Sequence, residues 1–85
     1  MRPDPLEIKS RLEAQFPGAS IEVIDDSHLH AGHAGASGGA GHYTVRIRWP
    51  GFAGHTPLAR HRLVYHAVND WIPHRIHALS IHAAA

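Results

Sequence analysis

The sequence contains no cysteine. Disulfides, zinc–thiolate centres and a cysteine nucleophile are therefore excluded within this chain. Charge is also scarce: eight Lys and Arg and seven Asp and Glu leave a net charge of +1 with histidine neutral. No apolar run approaches the length of a membrane span, and the first residues are acidic where a signal peptide would be apolar. The cytosol is the expected location. The chain's 85 residues suffice for one small domain and are too few for two.

What stands in place of the missing charge is histidine, with ten residues. Imidazole titrates near neutrality, so positive charge accumulates as the pH falls below about 6.5. The fixed charges are also uneven. Residues 1–41 hold three basic and six acidic side chains (net −3), and residues 42–85 hold five and one (net +4). The second half thus carries a candidate basic face, formed by Arg46, Arg48, Arg60, Arg62 and Arg75.

Local signals give an element order. Asp4-Pro5 with Glu7 reads as a capping box, and Ile8, Leu12 and Phe16 form one apolar stripe before Pro17-Gly18, which predicts a helix over 5–16. Residues 20–25 are short and β-branched and read as a strand. Residues 27–41 are rich in glycine and alanine, hold His28, His30 and His33, and read as a long flexible loop. From His42 to Trp49 the pattern alternates, with Tyr43, Val45, Ile47 and Trp49 on one face, and an antiparallel hairpin with the first strand is expected. Thr56-Pro57 caps a second helix predicted to run to 71 or 72, with Val64, Val68, Trp71 and Ile72 buried and His61 on the same side. Residues 76–82 read as a strand of imperfect alternation, with His77, Leu79 and Ile81 on one face and a fraying tail behind it. Two helices over one face of a three-stranded sheet follow from this order.

Catalysis is not expected, because no nucleophile elbow, phosphate loop or His-Glu-x-x-His arrangement occurs. Metal ligation is the sharper reading of the loop histidines, since neutral imidazole is a common donor. His42, His61 and Phe52 read as structural.

Several stretches in their order resemble the BolA family: Asp26-Ser27 followed by histidines and a glycine-containing loop, His42-Tyr43, Phe52-x-Gly54, Arg60-His61-Arg62-Leu63-Val64-Tyr65, and Ile76-His77-Ala78-Leu79-Ser80-Ile81. The likeness covers about 5–82 of a single domain spanning 1–85. It implies an α+β fold similar to the type II KH arrangement, α-β-β-α-α-β, with a short extra turn of helix at 51–55 or between 50 and 60. It also implies a partner, a monothiol glutaredoxin, and a shared [2Fe-2S] cluster used in iron–sulfur assembly, trafficking or iron regulation. On that likeness His77 is a metal ligand. The loop ligand is His30, with His33 as the alternative, and the remaining coordination comes from glutaredoxin cysteine and glutathione. The alternative is a DNA-binding transcriptional regulator using the five arginines. A monomer or weak homodimer is expected without the cluster.

Overall fold

The computed structural model of the chain describes residues 2–27 and 40–85. Helix α1 spans Pro5–Gln15. It starts where the sequence says, because the Asp4 carboxylate accepts from the Leu6 amide and the Glu7 carboxylate accepts from the Asp4 amide. It stops at Phe16-Pro17-Gly18. Gly18 takes a positive φ of 81°, a turn that glycine adopts without a side-chain clash.

Strand β1, Ser20–Asp25, runs antiparallel to β2, Gly41–Arg48, as expected. Strand β3, Ile76–Ala84, lies on the other side of β2 and parallel to it. A parallel neighbour requires a crossover, and helix α2, Pro57–Ala67, supplies it. The sheet order is β1-β2-β3. A 3-10 turn at Pro50–Phe52 provides the short extra element before α2, and another at Asn69–Trp71 follows it.

The alternation of β2 sets the two faces of the sheet. Tyr43, Val45 and Ile47 join Ile8 and Leu12 of α1, Val64 of α2, and Val68, Phe52 and Ile76 in one core. Arg46 and Arg48 point to the opposite, solvent-facing side. Phe52 is fully buried, and its ring meets Phe16 at 5.4 Å and Trp49 at 5.2 Å between centroids. The loop it belongs to is held there by apolar burial.

Three expectations are corrected. Helix α2 ends at Ala67 and not at 71 or 72, because Val68 leaves helical geometry (φ −127°, ψ 13°). Trp71 instead sits half-buried in the following turn, with the Arg11 guanidinium 3.9 Å from its ring centroid. His61, expected on the buried side, is exposed. The tail also does not fray: Ala83 and Ala84 pair with Ile47 and Arg48, and the Trp49 amide donates to the Ala84 carbonyl at 2.9 Å.

Candidate functional site

One end of the sheet is where β1 finishes, β2 begins and β3 begins. Asp26 and Ser27 close this end. The Asp26 amide donates to the His42 carbonyl at 2.8 Å, and the His42 amide donates to Ser27 Oγ at 3.1 Å. The Ser27 amide donates to Asp25 Oδ1 at 2.9 Å, a local side-chain turn. Thr44 Oγ1 donates to Asp26 Oδ2 across the pair of strands. Ser27 is buried, so its hydroxyl holds the strand end and does not face solvent. The residues on either side of 28–39 are thereby fixed to the same point of the sheet.

Next to that point, the pairing of β2 with β3 carries an extra residue. Gly41 pairs with Ile76 and His42 with Ala78, so His77 is the inserted residue of a β-bulge. This explains the imperfect alternation of 76–82. Ile76 is buried, His77 and Ala78 are both exposed, and Leu79 and Ile81 are half-buried on the helix side. His77 therefore does not share a face with Leu79 and Ile81, contrary to the simple period-2 reading. A bulge re-aims a side chain in this way, and such irregularities gather next to functional sites.

His77 points beside His42. The two ring centroids are 5.1 Å apart with the planes tilted by 52°. His42 is 7% exposed and His77 is exposed, so one imidazole is packed and the other is presented over it. His42, read as structural from the sequence, bonds at the strand end through its amide and carbonyl, and its ring packs beside His77.

The floor of this end is equally constrained. Tyr43 is buried, and its hydroxyl donates to the Pro3 carbonyl at 2.6 Å. Burial, reinforced by the Asp25 carboxylate, pushes the phenol up to about 12. A side chain at position 41 would begin 2.4–2.6 Å from the Tyr43 ring, so glycine is required there. Arg2 reaches Asp25 at 3.6 Å and lays the N-terminal arm along the same end.

His28, His30 and His33 lie outside the described residues. Among the described residues, no group of three or more His, Asp or Glu side chains converges as a metal cage. The arginines do not form one surface. Arg75 stands at the His77 end, 3.4 Å from Glu7 and over the Trp71 ring. Arg46 and Arg48 lie at the opposite half of β2, Arg46 3.8 Å from Glu22 and Arg48 donating to the Ala85 carbonyl. Arg60 Nε donates to the Phe52 carbonyl at 3.2 Å, and Arg62 is exposed.

A family profile described as "BolA-like protein" matches residues 12–85. The chain belongs to the BolA family. SufE-like protein 1 of the Arabidopsis thaliana chloroplast and mitochondrion is 39% identical over 81 residues, which are 89% of this chain and 22% of that protein. A DNA-binding transcriptional regulator BolA of Vibrio cholerae is 36% identical over 75 residues, 88% of this chain and 68% of that one. The solved BolA domain of Arabidopsis SufE1 superposes with a TM-score of 0.80 at 36% identity, covering 94% of this chain and 88% of its own. The expected BolA-like α+β fold is thus the observed one. No helix among the described residues is long and apolar enough to cross a membrane.

Proposed function

We propose that this BolA-family chain is a non-catalytic partner of a monothiol glutaredoxin and binds a shared [2Fe-2S] cluster for iron–sulfur assembly, trafficking or iron regulation. The observation that carries this reading is the exposed His77, turned outward by a bulge at the end of the sheet from which residues 28–39 depart and to which they return. The donor chemistry fits, because a solvent-presented imidazole is a competent ligand for iron in clusters of mixed ligation.

In this reading His77 is one protein ligand and His30 the other, with His33 as the alternative. Glutaredoxin cysteine and glutathione complete the set. When bound, the cluster supplies one-electron redox chemistry and exchangeable iron and sulfide. The chain's own task is orientation: His42 supports the His77 ring, and Ser27 and Asp26 hold the strand end to which the ligand-bearing segment is attached.

Anaerobic mixing with a monothiol glutaredoxin, iron, sulfide and glutathione tests the proposal. Visible cluster absorption is expected with the wild type and strongly reduced with His77→Ala. Separate His30→Ala and His33→Ala variants decide the loop ligand. An unchanged cluster spectrum and lifetime in His77→Ala overturns the assignment.

A second reading is DNA binding, favoured by the Vibrio relative's description and by the exposed Arg46, Arg48 and Arg62. It predicts duplex affinity that falls steeply with salt. Absence of binding to any duplex at low salt removes it. Arg75 contributes least to this surface, being occupied by Glu7 and Trp71 at the other end of the strand.

A further inference from the structure

Strand β3 opens on a bulge, and a bulge must be held from both sides. A regular ladder would set His77 opposite Gly41 and turn its ring to the helix side with Leu79 and Ile81. The observed register sets Gly41 opposite Ile76 and His42 opposite Ala78, which leaves His77 extra and exposed. Downstream, the continuous pairing from Ala78 to Ala84 fixes the strand. Upstream, Ile76 is fully buried, and the Gly41 amide donates to the Arg75 carbonyl at 2.9 Å. The Arg75 amide donates in turn to the Trp71 carbonyl at 2.8 Å.

The Arg75 side chain is anchored as well. Its guanidinium lies 3.4 Å from Glu7 Oε2 and 4.9 Å from the centroid of the Trp71 ring. The other Glu7 oxygen accepts from the Asp4 amide, so the cap of α1 and the start of β3 share one carboxylate. Arg11 stands four residues beyond Glu7, on the same face of α1. It donates to Asp70 Oδ1 at 2.6 Å and to the Ala67 carbonyl at 3.4 Å, and its guanidinium also lies against Trp71. Helix α1 thus grips the segment between α2 and β3 at two points. Exposed ion pairs add little to folding stability, so the main consequence of this grip is geometric.

We infer that Arg75 is a positioning residue for His77. With its side chain held by Glu7 and Trp71, its main chain fixes the upstream end of the bulge, and with it the direction in which the imidazole is presented. Once Arg75 is released, the strand end samples the regular ladder, and His77 turns part of the time toward the helix side. The consequence for a cluster rests on the reading of His77 as a ligand; the consequence for the iron-free chain does not.

Arg75→Gln, Arg75→Lys and Glu22→Gln test this by NMR on the iron-free chain. Glu22 lies 3.8 Å from Arg46, so Glu22→Gln removes another exposed pair without touching the bulge. Arg75→Gln is expected to shift the His77 imidazole and Gly41 amide resonances and to weaken the NOEs between the His42 and His77 rings. It also speeds exchange of the Gly41 amide about threefold or more. Arg75→Lys, which keeps a cation facing Glu7, falls between Arg75→Gln and the wild type. Glu22→Gln leaves all of these as in the wild type. In the complex reconstituted with monothiol glutaredoxin, Arg75→Gln retains visible cluster absorption, because His77 is still present. It shortens the lifetime of that absorption about threefold or more. Unchanged His77 and Gly41 signals in Arg75→Gln overturn the inference and leave the register to Ile76 alone. The same response from Glu22→Gln overturns it too, because it marks a general loss of stability. So does an unaltered cluster lifetime once His77 has moved. If the wild type assembles no cluster, the ligand reading fails, and the iron-free spectra still decide the role of Arg75.

Discussion

His77 is exposed, and the ring it leans on, His42, is buried; their centroids are 5.1 Å apart on neighbouring strands. This asymmetry separates presenting a side chain from supporting it. His77→Ala removes an exposed group and changes folding stability by no more than about 0.5 kcal/mol. His42→Ala opens a gap at the strand end and costs about 1–3 kcal/mol. It also shifts the imidazole resonances of His77. Urea unfolding and histidine side-chain NMR check both statements. Equal costs for the two variants would contradict the packing described.

Gly41 has a neighbour that cannot yield. The Tyr43 ring is buried and its hydroxyl is held by the Pro3 carbonyl, so it cannot swing away from a new methyl group. Gly41→Ala is expected to destabilise the chain by about 1–3 kcal/mol through overpacking. Adding Tyr43→Leu removes the obstructing ring, and the double variant is expected to lose less than the two single losses added together. Chemical denaturation of the four proteins gives the coupling.

The Tyr43 phenol also sets an alkaline limit. Its value in the folded chain, about 12, stands above the ordinary 10.0. The stability this represents is complete below pH 10 and is lost as the pH rises toward about 12. Wild-type stability is therefore expected to fall over that interval and Tyr43→Phe to show a flatter profile. A tyrosinate absorbance step at 295 nm, delayed to about pH 12 and absent in Tyr43→Phe, is the spectroscopic check.

Acid should act at α1 and its partners. The bond from the Asp4 amide, aided by Arg75, holds the Glu7 carboxyl below its ordinary 4.5. The Arg11 hydrogen bond does the same for Asp70, whose ordinary value is 3.8. Lowered carboxylates stabilise the fold above their unfolded values, and that contribution disappears as the pH falls through the folded ones. Both groups are solvent-exposed, so the effect is modest and screened by salt. Glu7→Gln and Asp70→Asn are expected to flatten the melting temperature against pH below about 4.5, more clearly at low salt.

Much of this architecture is readable before any coordinates. Asp4-Pro5 and Thr56-Pro57 announce helix starts because capping geometry is local. The alternation from Tyr43 to Ile47 announces a half-buried strand because each side chain must choose a face. What is unreadable arises from pairing. An inserted residue such as His77 looks like faulty alternation until the partner strand is known. His42 should face solvent by parity, yet it is buried, with the His77 ring 5.1 Å from its own and Ser27 Oγ accepting from its amide. Ala83 and Ala84 have little intrinsic preference for a strand and become one only against Ile47 and Arg48. His61 reads as part of the inner stripe because it stands three and seven residues before Val64 and Val68, yet it is exposed. Of the candidate ligands, His77 can be located on the sheet, while His30 and His33 fall outside the described residues.

The N-terminal arm has a practical consequence. Through Arg2–Asp25 and Pro3–Tyr43 it is tied to the sheet end that bears His77, whereas Ala84 lies against Arg48 at the far end. A polypeptide fused ahead of Arg2 therefore emerges beside His77, and one fused after Ala85 emerges at the opposite pole. A polyhistidine purification tag placed first would put foreign imidazoles next to the proposed ligand and compete for iron. Placed last, it stands clear, and metal-binding measurements should use that arrangement or a cleaved protein.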